Sequence, residues 1–258
     1  MTDTISNITL ADLEKLKGYV EERTKSPYEL KRLRNKDHLL ILYTTGKLVV
    51  QGTNSPFEPD IKKQVSSSLD LVSSIGSDET LKGDTFGGLV ICAAYFKQGE
   101  VDVTDSKAYS DNQIQALAMQ LLENYPDRFS SRELTPEQYN QFYAELGSQT
   151  AILNVLHQEV GKELKEKFKA PQVVDQYPGC DAGDYCEQKA ERAHTSVAAA
   201  SILARYLALK QFERLSEKAE FILPKGSTHV KEAIQELKKR KLPLDEFCKM
   251  HFSTVIKG

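Results

Sequence analysis

The sequence predicts an α/β protein in which a mixed sheet is flanked by helices, preceded by a small α+β unit. The run 89–96 is apolar at every position, as expected for a strand covered on both faces. Residues 171–175 predict a second strand, directly after a helix predicted over residues 148–167. Helices that alternate with buried strands are typical of α/β folds.

The small unit precedes this sheet, and we place the domain boundary between residues 1–68 and 69–258. Serines at 66–68 and 73–74 indicate the boundary. Apolar runs separated by turn residues predict a three-stranded antiparallel sheet between two helices. In chain order, these elements cover residues 8–23, 28–34, 39–44, 47–51 and 60–69.

The larger domain carries the remaining predicted elements. Ser110 or Asp111 is expected to cap one helix, and the next helix starts at 135–137 with Pro136 at its first position. A strand is predicted over 101–104, a loop over 176–188, and helices over 111–124, from 136, over 148–167, over 189–206 and over 230–239.

The composition is that of a globular protein. The 258 residues carry a formal net charge of −3, so any nucleic-acid surface has to be local. No apolar run reaches membrane-spanning length, and residues 1–10 lack the features of a secretory signal. We therefore expect a cytoplasmic protein without a membrane partner.

The cysteines are scattered at positions 92, 180, 186 and 248. In a chain without an export signal they are expected to be reduced thiols. Cys180 and Cys186 lie near His194, but their spacing matches no common zinc module.

Carboxylates stand at the ends of the predicted strands. Asp78 and Glu79 follow a β-prone run and precede a glycine-bearing turn, and Asp175 ends the strand 171–175. Strand ends are where α/β sheets place their chemistry, and carboxylate oxygens suit a hard cation such as Mg²⁺. Taken alone, however, Asp78 and Glu79 favour the simpler interpretation of a solvated turn.

The N-terminal sheet is predicted to be basic. Lys31 and Lys47 are expected to share a sheet face with Tyr43, and such a face suits a phosphate backbone. An ordinary solvated sheet explains the same charges equally well. The cations that outnumber Glu29 and Asp37 are Lys25, Lys31, Arg32, Arg34, Lys36 and Lys47.

Six segments occur in the order found in bacterial ribonuclease HIII, a type 2 ribonuclease H, and the chain resembles this family over nearly its whole length. The most specific segment is 189–205, where Lys-Ala-Glu runs into Ala-Ala-Ala-Ser-Ile-Leu-Ala-Arg. The resemblance implies a ribonuclease H-like catalytic domain and a small TATA-binding-protein-like domain that binds substrate. The segments are 43–52, 75–87, 104–107, 174–176, 189–205, and 223–226 with His251 and Phe252.

The resemblance also implies a metal-dependent endonuclease that cuts the RNA strand of RNA–DNA hybrids and leaves 5′-phosphate and 3′-hydroxyl ends. Its active-site carboxylates correspond to Asp78, Glu79, Asp175 and Glu191, with the final glutamate of the HIII branch. Two Mg²⁺ or Mn²⁺ ions would neutralise these converging charges, which otherwise raise each other's pKa. We expect a monomer that acts in DNA replication and repair.

Further positions are implied to contact the substrate. Lys189 is among them, although a solvated charge explains it equally well. Asp105 is expected to be structural rather than a metal ligand. The implied contacts are Thr80, Lys82, Gly83, Ser106, Lys107 and Lys189, together with Tyr43 and Lys47 of the N-terminal unit.

One position departs from the family pattern. Leu81 stands where the family has the first glycine of Asp-Glu-x-Gly-x-Gly, whose backbone approaches the 2′-hydroxyl that distinguishes RNA from DNA. The departure leaves the metal ligands in place but puts cleavage at a single ribonucleotide within DNA in question. Two alternatives to cleavage of long hybrids stay open. One is ribonuclease HII-like cleavage at single embedded ribonucleotides, and the other is a hybrid-binding protein with weakened catalysis.

Overall fold

The structure, a computed structural model, describes residues 2–5, 10, 13, 16–44, 47–52 and 73–256. The chain divides into two compact units, Met1–Val72 and Ser73–Gly258. Within the described ranges, no helix is long and apolar enough to cross a membrane. The helix predicted over residues 60–69 lies outside the described residues.

The N-terminal unit contains an antiparallel sheet of five strands. Their order across the sheet is β1-β5-β4-β3-β2, and apolar side chains of β3, β4 and β5 form the core together with Leu13 and Leu16. The strands are β1 (Thr2–Ile5), β2 (Val20–Glu22), β3 (Glu29–Arg34), β4 (His38–Tyr43) and β5 (Leu48–Gly52).

The three predicted strands of this unit are confirmed as β3, β4 and β5, but two further strands flank them. The helix predicted over residues 8–23 is wrong in its second half, because residues 16–19 are not helical and Val20–Glu22 is a strand. Gly18 has a φ of +82°, a conformation that glycine adopts without strain and that lets the chain turn before β2.

A bulge in β3 changes the basic face that the sequence predicts. The register shifts between Glu29 and Lys31, so that Lys31 pairs with Leu42 while Tyr43 pairs with Glu29. Because side chains alternate between faces along a strand, Lys31 lies on the face opposite Tyr43, and the expectation that they share a face is wrong. Lys47 lies opposite Tyr43, whose amide donates to the Lys47 carbonyl at 2.9 Å.

The larger unit contains the predicted mixed sheet. Its order is β10-β9-β6-β7-β8, with parallel pairs β6–β9 and β9–β10 and antiparallel pairs β6–β7 and β7–β8. The apolar run at 89–96 is an interior strand between β6 and β8, and its alternate side chains enter two separate cores. The strands are β6 (Ser73–Thr80), β7 (Leu89–Lys97), β8 (Phe129–Leu134), β9 (Gln172–Asp175) and β10 (Tyr185–Glu187).

Helices cover both faces of this sheet. Ser110 and Thr135 each form a capping box, which explains why the first two helices begin where the sequence predicts. The described helices are α1 (Asp111–Asn124), α2 (Pro136–Leu146), α3 (Gln149–Phe168), α4 (Thr195–Ala219), α5 (Val230–Lys239) and α6 (Ser253–Ile256), with 3₁₀ turns at Ser106–Ala108, Ala190–Arg192 and Leu244–Glu246.

Helix α4 packs directly on β6 because both surfaces are small. Ala198, Ala199 and Ala200 are buried in this contact region. A Cβ atom added to Gly76 would lie 2.1 Å from the backbone nitrogen of Val197, so only glycine fits there. This close approach holds the start of α4 against the middle of β6.

Several local expectations for the larger unit are wrong. Residues 101–104 form no strand, and the predicted loop 176–188 contains β10. The helix predicted over 189–206 begins only at Thr195, and residue 191 lies in a separate 3₁₀ turn. Strand β8 is not predicted, because its sequence Phe-Ser-Ser-Arg-Glu-Leu is mostly polar.

Two of the cysteines also differ from expectation. Cys180 and Cys186 form a disulfide rather than remaining reduced, because the loop between β9 and β10 brings their Cα atoms to 6.4 Å. Cys92 and Cys248 are free and buried.

Candidate active site

Two neighbouring parallel strands carry carboxylates to one edge of the larger sheet. Asp78 and Glu79 lie near the end of β6, and Asp175 ends β9. Ser77 pairs with Val174 in the parallel register, so the next residues, Asp78 and Asp175, stand at the same level on adjacent strands. The strand register therefore brings these two carboxylates together.

Glu191 approaches them from the 3₁₀ turn between β10 and α4. Oδ1 of Asp175 accepts a hydrogen bond from the Ala190 amide at 2.9 Å, which ties this turn to the end of β9. The Glu191 side chain is only 8% exposed, and its Oε2 is buried without a hydrogen-bond partner among the described residues. An unpartnered buried carboxylate oxygen is costly unless a cation or a proton satisfies it.

These side chains line one cleft of about 320 Å³. The cleft contains all four predicted carboxylates and four of the predicted substrate contacts, whereas Gly83 and Lys189 do not line it. Tyr43 and Lys47 belong to the N-terminal unit. The lining residues are Asp78, Glu79, Thr80, Lys82, Asp105, Ser106, Lys107, Asp175, Glu191, Ser201 and Arg205.

The electrostatics of the cleft reflect its concentration of carboxylates. Burial, together with the charges of Glu79 and Asp175, raises the pKa of Asp78 to about 7. Burial also raises the pKa of Asp175 to about 6, with contributions from the charges of Glu191 and Glu79. Both groups thus resist ionisation while no cation neutralises the cleft.

Glu79 differs because it has cationic and hydrogen-bonding partners. Nε2 of His157 lies 3.3 Å from Oε2 of Glu79, and Nδ1 of the same ring lies 2.9 Å from Oγ of Ser77. The ammonium group of Lys82 pairs with Oε1. Burial acts to raise the pKa of Glu79, but His157 and Lys82 outweigh it and hold that pKa below its ordinary value.

The chemistry of the cleft fits a hard divalent ion. Among the residues that the structure describes, no three His, Cys, Asp or Glu side chains stand in the arrangement of a metal-binding group. The four carboxylates nevertheless line one cleft, and Oε2 of Glu191 has no donor among the described residues. An all-oxygen donor set with unneutralised charge is what Mg²⁺ and Mn²⁺ prefer.

Arg205 stabilises the 3₁₀ turn that carries Ser106 on the wall of the cleft. Its guanidinium donates to the carbonyl oxygens of Ser106 and Tyr109, the latter at 3.0 Å, and pairs with Asp111 at 2.7 Å. Ser201 donates to Oγ of Ser106 at 2.9 Å. Helix α4 therefore fixes the 3₁₀ turn that presents Ser106 to the cleft.

Asp105 caps this 3₁₀ turn by accepting a hydrogen bond from the Lys107 amide at 3.0 Å, which agrees with the structural role expected for it. His157, Ser201 and Arg205 are not among the site residues that the sequence predicts. The last two lie within the segment 189–205, so that segment already contained the signal for them. The position of His157 inside a predicted amphipathic helix gave no such signal.

The turn after the carboxylate pair keeps a glycine-like backbone although Leu81 is not glycine. Leu81 has a φ of +68°, in the left-handed region that favours glycine. Its side chain is buried in the core that also contains Phe86 and Phe212, and it does not line the cleft. The leucine thus changes the core beneath the turn rather than the cleft surface.

Comparison with known proteins agrees with this site. The family model of ribonuclease HII matches residues 75–255. A ribonuclease HIII of Bacillus cereus is 34% identical over 264 aligned positions, which cover 84% of this chain and 84% of that protein. A ribonuclease HIII of Bacillus anthracis is 35% identical with the same coverage of both chains.

Solved structures show the same relationship. The crystal structure of Bst-RNase HIII in complex with Mn²⁺ matches with a TM-score of 0.68 and 26% identity, covering 100% of this chain and 97% of that one. Aquifex aeolicus RNase H3 matches with a TM-score of 0.59 and 28% identity, covering 97% and 100%. The chain therefore belongs to the family of ribonucleases HII and HIII and is a ribonuclease H, from a family of divalent-metal-dependent hydrolases that act on RNA–DNA hybrids.

Proposed function

We propose that the chain is an endonuclease that hydrolyses the RNA strand of RNA–DNA hybrids by a two-metal mechanism and leaves 5′-phosphate and 3′-hydroxyl ends. The observation that carries this proposal is the convergence of four carboxylates on one cleft in which Oε2 of Glu191 has no partner among the described residues. A cleft with an excess of anionic oxygen is unsuited to a phosphate until cations enter it.

Asp78, Glu79, Asp175 and Glu191 would hold the two Mg²⁺ or Mn²⁺ ions. When bound, such ions activate the attacking water and stabilise the leaving 3′ oxygen of an in-line displacement. The protein orients the ligands beforehand: Oδ1 of Asp78 accepts from the Glu79 amide at 2.8 Å, and Oδ1 of Asp175 accepts from Ala190. His157 fixes Glu79 in the same way.

The substrate side of the proposal uses the cations of the cleft. Lys107 and Ser106 would contact a phosphate of the hybrid from one wall, and Thr80 and Lys82 would contact it from the other. Lys82 pairs with Glu79, and with Glu79 engaged as a metal ligand the ammonium group of Lys82 would be available to a substrate phosphate.

Additional contacts would come from Gly83 and Lys189, which do not line the cleft, and from Tyr43 and Lys47 of the N-terminal unit. We propose that the N-terminal unit binds the hybrid, with Lys47 beside Tyr43 on one part of its sheet. A positive charge next to an aromatic ring suits a nucleic-acid strand.

Cleavage of a labelled 20-base-pair hybrid by the intact protein in Mg²⁺, in Mn²⁺ and in chelator tests this function. We expect internal cuts in the RNA strand with either metal, none in chelator, and 5′-phosphate on the downstream product by mass spectrometry. A DNA duplex of the same sequence serves as the control and should stay intact. Hybrid binding without product in both metals would contradict the proposal and favour a hybrid-binding protein.

A DNA duplex that contains one ribonucleotide separates the two catalytic modes. The left-handed backbone of Leu81 supports recognition of a 2′-hydroxyl, which both modes require. We expect the long hybrid to be cut more efficiently than the single ribonucleotide. The reverse order would assign the ribonuclease HII-like mode.

A further inference from the structure

Lys249 is a lysine whose side chain is fully buried, with 0% of its surface exposed. Its Nζ donates hydrogen bonds to three backbone carbonyls: Leu81 at 2.8 Å, Asp84 at 2.6 Å and Gly87 at 3.1 Å. An ammonium group has three donors, and all of them are therefore used on a single turn. The turn 81–87 follows Asp78 and Glu79 directly.

A charge in this position is expensive, and its surroundings are arranged to hold it. Burial lowers the pKa of Lys249 to about 7, while the Asp84 carboxylate and Cys248 oppose that shift. The rings of Tyr139 and Phe252 lie 5.3 and 5.4 Å from Nζ, where cation–π attraction favours the ammonium form. A buried cation is retained at such cost only if its contacts are hard to replace.

Backbone hydrogen bonds hold Lys249 against the turn. The Lys249 amide donates to the Thr85 carbonyl at 3.0 Å, and the Gly87 amide donates to the Phe247 carbonyl at 3.0 Å. Phe86 and Cys248 form a bridge between these two bonds. The segment 247–249 is thus paired to the turn like a short strand.

The first carbonyl that Lys249 holds belongs to the residue with the unusual backbone. Leu81 has a φ of +68°, a conformation that is strained for a residue with a Cβ atom. Its neighbours on either side, Thr80 and Lys82, line the cleft. If Leu81 relaxed to a negative φ, the backbone amides next to the cleft would turn away.

We propose that Lys249 is a positioning residue that fixes the turn 81–87 through three carbonyls and thereby sets the preference of the enzyme for ribose over deoxyribose at the cut site. The inference rests on the proposed function, because the turn lies beside the proposed cut site. It explains how a chain with leucine in place of the family glycine keeps a turn of the required shape. Lys249 does not touch the substrate.

Lys249→Met tests the inference because it keeps the length of the side chain but removes the charge and all three donors. Lys218→Met is the matched control, since Lys218 pairs with Glu246 at 2.6 Å and lies 5.6 Å from the ring of Phe247 in the same C-terminal segment, without contacting the turn. For each protein, KM and kcat are measured on the long hybrid. Equilibrium binding is measured in parallel on the hybrid and on the DNA duplex of the same sequence.

We expect Lys249→Met to raise KM for the hybrid by about tenfold, as for the loss of a buried charged donor, with kcat changed by less than about threefold. The preference for hybrid over DNA duplex should fall by a similar factor, and Lys218→Met should match the wild type. Should Lys249→Met not fold, Lys249→Gln is measured by the same criteria.

A lower melting temperature with unchanged KM and unchanged hybrid preference would overturn the inference, because Lys249 would then only stabilise the fold. A loss confined to kcat would overturn it as well, because that result would place the effect at the carboxylates. Wild-type protein that cuts no hybrid in either metal would instead contradict the proposed function. The two failures are therefore distinguishable.

Discussion

The carboxylate cleft and the turn that follows it are neighbours in sequence, but they handle charge in opposite ways. In the cleft, Asp78, Asp175 and Glu191 present more anionic oxygen than the surrounding donors satisfy, and Oε2 of Glu191 has no partner among the described residues. In the turn, three carbonyl oxygens meet the three donors of Lys249. The chain carries its own donor group for the turn, whereas we propose that the cleft takes up ions from solution.

This difference fits the two tasks that we propose. A turn that recognises a 2′-hydroxyl has to keep one shape whether or not metal is present, so a covalently attached cation suits it. A cleft that activates water and a leaving oxygen needs exposed metal coordination positions, which an ammonium group cannot provide. Changes in the two regions should accordingly affect different kinetic constants.

The largest effect is expected in the cleft. Asp78→Asn removes one charged ligand and should lower kcat by at least about a thousandfold, because the ions contribute several kcal/mol of charge stabilisation. Hybrid binding should remain within about threefold of the wild type, since the phosphate contacts persist. Asp105→Asn is the control in the same cleft and should cut almost normally. An Asp78→Asn protein with wild-type kcat would remove Asp78 from the metal site.

A smaller loss of kcat is expected from the residue that holds Glu79. His157→Phe keeps the ring that stacks on Tyr177, with centroids 5.5 Å apart, but removes both polar contacts. Loss of a group that orients a metal ligand typically costs about 10–100-fold, so kcat should fall by that factor while KM changes little. His194→Phe, which removes a buried histidine paired with Glu187 at 2.7 Å outside the cleft lining, is the control. Equal losses of kcat in both variants would contradict a specific role for His157.

The electrostatic contrast can also be measured without substrate. The folded-state pKa values of Asp78 and Asp175 lie above the ordinary value of 3.8, at about 7 and about 6. Between pH 4 and pH 7 the folded state therefore binds more protons than the unfolded state. The free energy of unfolding in chelator should accordingly fall as the pH rises from 4 to 7.

Over this pH range, we expect the melting temperature of the wild type to fall by about 5 °C more than that of Asp78→Asn. Millimolar Mg²⁺ should restore most of the loss above pH 7 by neutralising the ionised carboxylates. Melting curves in chelator and in Mg²⁺, recorded at each pH, provide the measurement. A wild-type slope equal to that of Asp78→Asn would show that the cleft carries no unneutralised charge.

The smallest effect is expected for Tyr43 and Lys47 of the N-terminal unit. The double variant Tyr43→Ala/Lys47→Ala should raise KM by about threefold at low salt and leave kcat unchanged, because one phosphate contact and one aromatic surface are lost. The effect should shrink as salt increases. Lys36→Ala, at an exposed position of the turn between β3 and β4, is the control. An unchanged KM in the double variant would remove these two residues from the substrate surface.

Local sequence patterns were sufficient for much of the framework. The apolar run 89–96 predicted an interior strand, because its signal acts over a few residues. A cap at Ser110 or Asp111 and a first-position proline at 136 predicted the starts of two helices in the same way. The same patterns failed where a local preference met a distant contact. Strand β8 is mostly polar, and it is held by pairing with β7 rather than by its own sequence.

By itself, the sequence determined which residues are chemically able to form the site: carboxylates at strand ends, with Leu81 as the departure from the family pattern. Only the tertiary structure decided how they are used. In the structure, Glu191 lies in a 3₁₀ turn separate from α4, and Cys180 forms a disulfide with Cys186. Leu81 has a positive φ. The ammonium group that holds the Leu81 carbonyl comes from a residue 168 positions away, and a contact at that distance leaves no trace in local periodicity.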